Sequence, residues 1–162
     1  MKNKIITPIF VVLIIGLLYL IYSQLSVFRS ENIESFKAAY KESYPSIKDI
    51  SIKVNTVALY IDIKSAAPID EITRISIIKS MEKPLMKKEV FEEIDNYIKK
   101  TLNKPEFHYI YVKFISESSS NWYKIFLSGR IPSNEKSLIH IFSSINELDM
   151  KSGSTISTIN LN

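Results

Sequence analysis

Ile50-Ser51-Ile52-Lys53-Val54-Asn55-Thr56-Val57-Ala58-Leu59-Tyr60-Ile61-Asp62-Ile63-Lys64 is the stretch that decides the fold. Ile50, Ile52 and Val54 alternate with Ser51 and Lys53. After Asn55-Thr56, Val57, Leu59, Ile61 and Ile63 alternate with Ala58, Tyr60, Asp62 and Lys64. Successive side chains of a strand point to opposite faces, so a period of two marks a strand with one buried face. Two such runs around a short polar break predict a β-hairpin. Its apolar face must be covered by another layer.

The flanks supply that layer. Ser30 can cap a helix over Glu31–Tyr44, with Ile33, Phe36, Tyr40 and Tyr44 on one face and Ala39 beside them. Glu31 and Glu34 lie at the positive end of its dipole, and Pro45 ends it. Beyond the hairpin, Ser65-Ala66-Ala67-Pro68 reads as a loop. Asp70 then caps a helix to about Glu82, whose stripe is Ile72, Ile75, Ile78 and Met81 or Glu82. Pro84 is expected to separate it from a helix over Leu85–Leu102, with Phe91, Ile94, Ile98 and Leu102 as its stripe.

A second hairpin follows. In Phe107–Ile115, Ile110, Val112 and Phe114 suit a core, while Tyr109, Tyr111 and Lys113 lie opposite. Ser116–Asn121 is a polar turn. Trp122–Ser128 returns with Tyr123, Ile125 and Leu127 opposed to Trp122, Lys124 and Phe126, and Pro132 closes the pair. From Ser133 onward, Leu138, Ile141, Phe142, Ile145 and Leu148 fit a helix, with a strand over Leu138–Ser143 as the rival. Gly153 ends this element, and Thr155–Leu161 reads as a short strand or a tail. The expected order is helix–hairpin–helix–helix–hairpin–helix: an α+β domain of antiparallel strands packed on helices, over residues 29–162.

Residues 1–28 are different in kind. Ile5–Tyr22 is apolar apart from Thr7, Pro8 and Gly16, and no charge follows Lys4 until Arg29. A bilayer core takes about 20 such residues as a helix. Each long or branched apolar residue favours insertion by roughly 0.3–0.6 kcal/mol near the centre. Tyr19 and Tyr22 sit where an aromatic belt would lie, and Lys2 and Lys4 hold the amino terminus inside. A cleaved signal peptide shares this pattern. The length of the run, and the lack of paired small residues around Tyr22-Ser23-Gln24-Leu25-Ser26, favour an uncleaved anchor. The expectation is a single-pass cell-membrane protein, amino terminus cytoplasmic and domain outside.

Charge and composition exclude several classes. The formal net charge is +4, of which Lys2 and Lys4 supply two. Lys and Glu are interspersed elsewhere, which argues against nucleic acid as a partner. The chain has no cysteine, so it has neither a disulfide framework nor an acylated anchor residue. Its three glycines, Gly16, Gly129 and Gly153, stand apart and build no phosphate loop. His108 and His140 are isolated, so no metal centre is expected. Asp70-Glu71, Glu89-Glu93 and Glu92-Asp95 read as solvated helix faces. No catalytic residue and no cofactor is assigned. Richness in isoleucine, lysine and asparagine fits an AT-rich bacterial genome.

One feature points to binding. If both hairpins share a sheet with helices on one side, the other side shows Tyr60, Tyr109, Tyr111, Trp122 and Phe126. Lys53, Lys64, Lys113 and Lys124 are interleaved with them. Large aromatics beside cations concentrate binding energy at interfaces. The candidate face is therefore Tyr60, Tyr109, Tyr111, Lys113, Trp122, Lys124 and Phe126. The competing reading is that helices or the carboxy-terminal segment cover these rings and make them core. The expected function is a non-enzymatic, membrane-anchored binding domain of the bacterial envelope, with a protein or an envelope polymer as partner. A surface-tethered hydrolase or enzyme inhibitor with an unidentified acidic site is the alternative.

Overall fold

The computed structural model of the chain describes residues 26–55, 58–102, 108–130 and 139–161. The elements run β1 (Ser26–Val27), α1 (Glu31–Ser43), β2 (Ile47–Asn55), β3 (Ala58–Ser65), α2 (Glu71–Leu85), α3 (Lys88–Leu102), β4 (Tyr109–Ile115), β5 (Ser120–Arg130), β6 (Ile139–Leu148) and β7 (Thr155–Asn160). Six full strands and the two-residue edge β1 form one sheet in chain order. The fold is α+β, as expected. Among the described residues no helix is long and apolar enough to cross a membrane. The expected span, Ile5–Tyr22, lies outside those residues, as do Thr56, Val57, Phe107, Pro132 and Leu138.

The first hairpin has the register its alternation demands. Ile50 pairs with Ile63, Ile52 with Ile61 and Val54 with Leu59, and all six are buried. The second hairpin pairs Val112 with Tyr123 and Ile110 with Ile125. The sheet is not wholly antiparallel, because β3 and β4 are parallel. A parallel neighbour needs a long crossover, and α2 with α3 is that crossover. Ile33, Phe36 and Tyr40 of α1, Ile77, Ile78, Met81 and Leu85 of α2, and Val90, Phe91, Ile94 and Ile98 of α3 join the strand isoleucines in one core. The three helices among the described residues thus lie on one side of the sheet.

The amino-terminal entry also belongs to this core. Ser26 pairs with Val54, and Phe28 is 3% exposed with its ring edge-on to Tyr97 at 5.0 Å. A strand therefore precedes α1, so this helix does not run on from residues nearer the amino terminus. Ser30 caps α1, accepting from the Ile33 N–H at 3.2 Å and donating to Glu93 Oε2 at 2.9 Å.

Three expectations are corrected. First, Ile139–Leu148 is a strand, so the last element of the expected order is not a helix. Phe142 opposes Leu127, Ser144 opposes Phe126 and Ile145 opposes Ile125, which leaves Ser143 as the extra residue of a β-bulge. The bulge puts Phe142 and Ile145, three residues apart, on the same buried face. It thereby reproduces a helical spacing within a strand. β7 follows it as a strand antiparallel to β6. Second, Pro84 lies inside the last turn of α2, and α3 begins at Lys88 rather than Leu85. Proline forfeits the bond its N–H would give to the carbonyl four residues back, and the helix ends one residue later at Leu85. Third, Ile72 is 84% exposed, while Ile77 takes a place in the core.

The bulge is held from the helix layer. Glu82 Oε1 accepts the Phe142 N–H at 3.0 Å, and the Ser143 hydroxyl donates to the Phe126 carbonyl at 3.0 Å. Glu82→Ala should cost about 1–3 kcal/mol by leaving that amide unpaired. Glu82→Gln keeps an acceptor and should recover most of it. Urea unfolding of the two variants measures this, and equal losses would sink the assignment.

Candidate functional site

Strand parity places the seven candidate residues on the sheet side opposite the helices. Pairing across the sheet arranges them in rows. One row reads Lys53, Tyr60, Tyr111, Lys124 and Asn146. The next reads Asp62, Lys113, Trp122 and Leu148, and the third Ala58, Tyr109, Phe126 and Ser144. All seven are half-buried. They are therefore neither core nor isolated surface residues, and no helix among the described residues covers them.

The parallel β3–β4 pairing has a direct consequence. In-register parallel strands set like positions side by side at roughly 4.8 Å. Tyr60 and Tyr111 accordingly stack at 4.9 Å with 13° between their planes. Burial, and secondarily the neighbouring Tyr111 phenol, push the Tyr60 hydroxyl above its usual pKa, so it stays a neutral donor. Tyr109 and Phe126 meet edge to face at 5.3 Å.

The lysines sit on these rings. Lys113 Nζ lies 4.8 Å from the centre of the Trp122 ring. Lys124 Nζ lies 4.0 Å from Tyr109, 4.7 Å from Phe126 and 5.7 Å from Tyr111. A ring face attracts an ammonium through its quadrupole without neutralising it. Lys53 differs, because it forms a 2.9 Å ion pair with Asp62. Lys64 is exposed.

A concavity of about 370 Å³ opens on this face, lined by Tyr60, Tyr111, Trp122, Leu148, Asp149, Met150 and Gly153. Its far wall is the β6–β7 turn. Gly153 takes φ +69 there, a left-handed conformation that glycine adopts without strain. Asp149 organises the turn, accepting from the Ser152 N–H at 2.7 Å, the Ser152 hydroxyl at 2.8 Å and the Lys151 N–H at 3.0 Å. These bonds hold its carboxyl below the usual carboxylate range, those from the Ser152 backbone most of all. Asp70, which caps α2, is lowered chiefly by the Thr73 hydroxyl.

Both depressed carboxylates stabilise the fold when ionised. Their contribution is complete above the unfolded carboxylate pKa and is lost as pH falls through the lower folded values. The melting temperature should therefore drop between about pH 5 and pH 2, and less steeply in an Asp70→Asn/Asp149→Asn variant. Identical slopes in thermal scans would contradict this.

Sequence reasoning missed one polar cluster on the helix side. Arg74 Nε donates to Tyr123 Oη at 2.7 Å, Arg74 Nη1 donates to the Ile69 carbonyl, and Tyr123 Oη donates to Glu147 Oε1 at 3.3 Å. Tyr123 sits among core positions, so its periodicity looked purely apolar. Its hydroxyl partners lie 49 and 24 residues away. Burial pushes the Tyr123 hydroxyl pKa up, opposed by Arg74 and reinforced by Glu147.

The other expected positions do not assemble into a site. His108 is exposed just before β4, with its ring 6.2 Å from Tyr109. Residue 140 lies in β6 opposite Gly129 rather than on a helix. Among the described residues no three His, Asp or Glu side chains come together as metal ligands. The chain matches no protein-family model, no curated protein and no solved structure.

Proposed function

We propose that the chain is a membrane-anchored, extracytoplasmic binding domain of a bacterial envelope. The anchor is Ile5–Tyr22, the domain of residues 29–162 also takes in Ser26–Phe28 through β1 and the core, and the aromatic and lysine face is the binding surface. The gathering of all seven candidate residues on the side of the sheet opposite the three described helices is the observation that carries this reading. The hydrolase alternative calls for convergent acids. Among the described residues Asp149 is the one carboxylate lining the concavity, and its Oδ1 is turned back into its own turn.

The tether is short. With a span ending near Tyr22, Ser26 in the sheet lies four residues on. At most about 3.6 Å per residue holds the edge strand within roughly 14 Å of the membrane. A partner in the adjacent envelope layer is within reach of such a domain.

A chain without cysteine gives a clean topology test. Ser118→Cys, exposed in the β4–β5 turn, should react with a membrane-impermeant maleimide in intact cells. Labelling only after lysis would reverse the proposed orientation. A photocrosslinking residue at position 111 should capture a partner in intact membranes. One at Ser35, exposed on α1, should not. Equal capture from both positions would remove the face from the proposal.

A further inference from the structure

We propose that the occupant of this face is an acidic glycan, a linear sugar polymer bearing carboxylate or phosphate groups. Lys113 and Lys124 hold its anions, and one sugar ring sits in the concavity beside Tyr60, Tyr111 and Trp122. The inference rests on the binding-face reading above and adds the chemistry of the partner.

Charge carries the argument. The rings of this face are not free stacking platforms. Trp122 carries Lys113, Tyr109 and Phe126 carry Lys124, and Tyr60 and Tyr111 stack on each other. The rings serve as pedestals for ammonium groups. Among the described residues, neither Lys113 nor Lys124 forms an ion pair with a carboxylate. Asp62 is matched by Lys53, and Asp149 is bound within its turn. The face therefore presents two positioned, uncompensated cations with N–H groups to spare. Lys113 opposes Trp122, and Lys124 opposes Tyr111. The two lysines are thus diagonal cross-strand neighbours, roughly 7–8 Å apart at their bases. A polymer with repeated anions meets both at once.

The concavity adds the sugar. Its volume of about 370 Å³ has room for one pyranose-sized ring. Tyr60 is a neutral phenol beside it. Trp122 Nε1 and Asn146 Oδ1, both on this face and shielded from solvent, have no hydrogen-bond partner among the described residues. Phenol groups beside apolar walls from Trp122, Leu148 and Met150 match the hydroxyls and C–H faces of a sugar. A bilayer offers phosphates on a plane and no ring to seat.

Trp122 is the single tryptophan and lies under Lys113, so its emission reports directly on the site. The full chain in phosphatidylcholine nanodiscs would be titrated with polygalacturonate and, separately, with uncharged dextran. A third sample would use phosphatidylglycerol nanodiscs without polymer. Polygalacturonate should shift the emission saturably, with affinity falling roughly tenfold between about 50 and 200 mM salt for two or three anion contacts. Lys113→Gln/Lys124→Gln should weaken binding at least tenfold, and Lys113→Arg/Lys124→Arg should retain it. Thermal scans of both variants separate lost binding from lost folding. Equal binding of dextran, unaffected by the glutamine pair, would overturn the acidic-glycan inference and leave the binding face standing. A shift in phosphatidylglycerol nanodiscs alone would overturn it in favour of a lipid surface. No shift in any sample would overturn it and remove support from the face itself.

Discussion

Arg74→Met should lower the unfolding free energy by about 3 kcal/mol, at the lower end of what breaking a buried ion pair costs. Arg74 and Glu147 are 12% and 17% exposed, and their nearest charged atoms are 3.9 Å apart. The ion pair alone is therefore modest, and the network supplies the rest. Removing the guanidinium takes partners from the Tyr123 hydroxyl, the Ile69 carbonyl and Glu147 together. Glu147 is then left largely desolvated, with one 3.3 Å bond from Tyr123. Adding Glu147→Gln should restore part of the loss, because the orphaned charge goes with it. A double-mutant cycle by urea unfolding should give a coupling of roughly 1–3 kcal/mol. A loss below about 1 kcal/mol for Arg74→Met would show that α2 is not clamped to β5 and β6 through this cluster.

Ile61→Ala should cost about 3–4 kcal/mol, within the range for truncating a fully buried aliphatic residue. Ile61 has no exposed surface and lies in the sheet between Ile52 of β2 and Val112 of β4. Packed neighbours on adjacent strands leave little room to collapse into the space. Ile72→Ala makes the contrast. Both residues belong to apolar patterns in the sequence, yet Ile72 is 84% exposed. Alanine there should stay within about 0.5 kcal/mol of the parent, aided by its higher helix propensity. Chemical denaturation of the two variants checks the pair, and comparable losses would contradict the placement of α2.

These two isoleucines show how far the sequence could be read. Ile61 lies in a strict alternation, which allows one arrangement of faces, and its burial followed. Ile72 lies in a helix crowded with isoleucines at positions 72, 75, 77 and 78. Several stripes could be drawn through them. The sheet the helix packs on selected Ile77, Ile78, Met81 and Leu85. The caps at Ser30 and Asp70 were legible because each satisfies an amide only three residues away. β6 was not, because its bulge spaces Phe142 and Ile145 as a helix would. The bulge depends on Glu82, 60 residues earlier.

The candidate face divides in the same way. Alternation by itself put Tyr109, Tyr111 and Lys113 opposite a core, and Trp122, Lys124 and Phe126 likewise. Only the tertiary structure decided that the second hairpin joins the first in parallel, through the two-helix crossover. That join set Tyr60 against Tyr111 and made two hairpin surfaces one face. It also decided that the rings seat ammonium groups and that the β6–β7 turn walls a concavity beside them. The division has a physical cause. Strand parity and helix caps act over a few residues and are written in the local sequence. Strand order, bulge position and counter-charge depend on groups dozens of residues apart, which only the folded chain brings within contact distance.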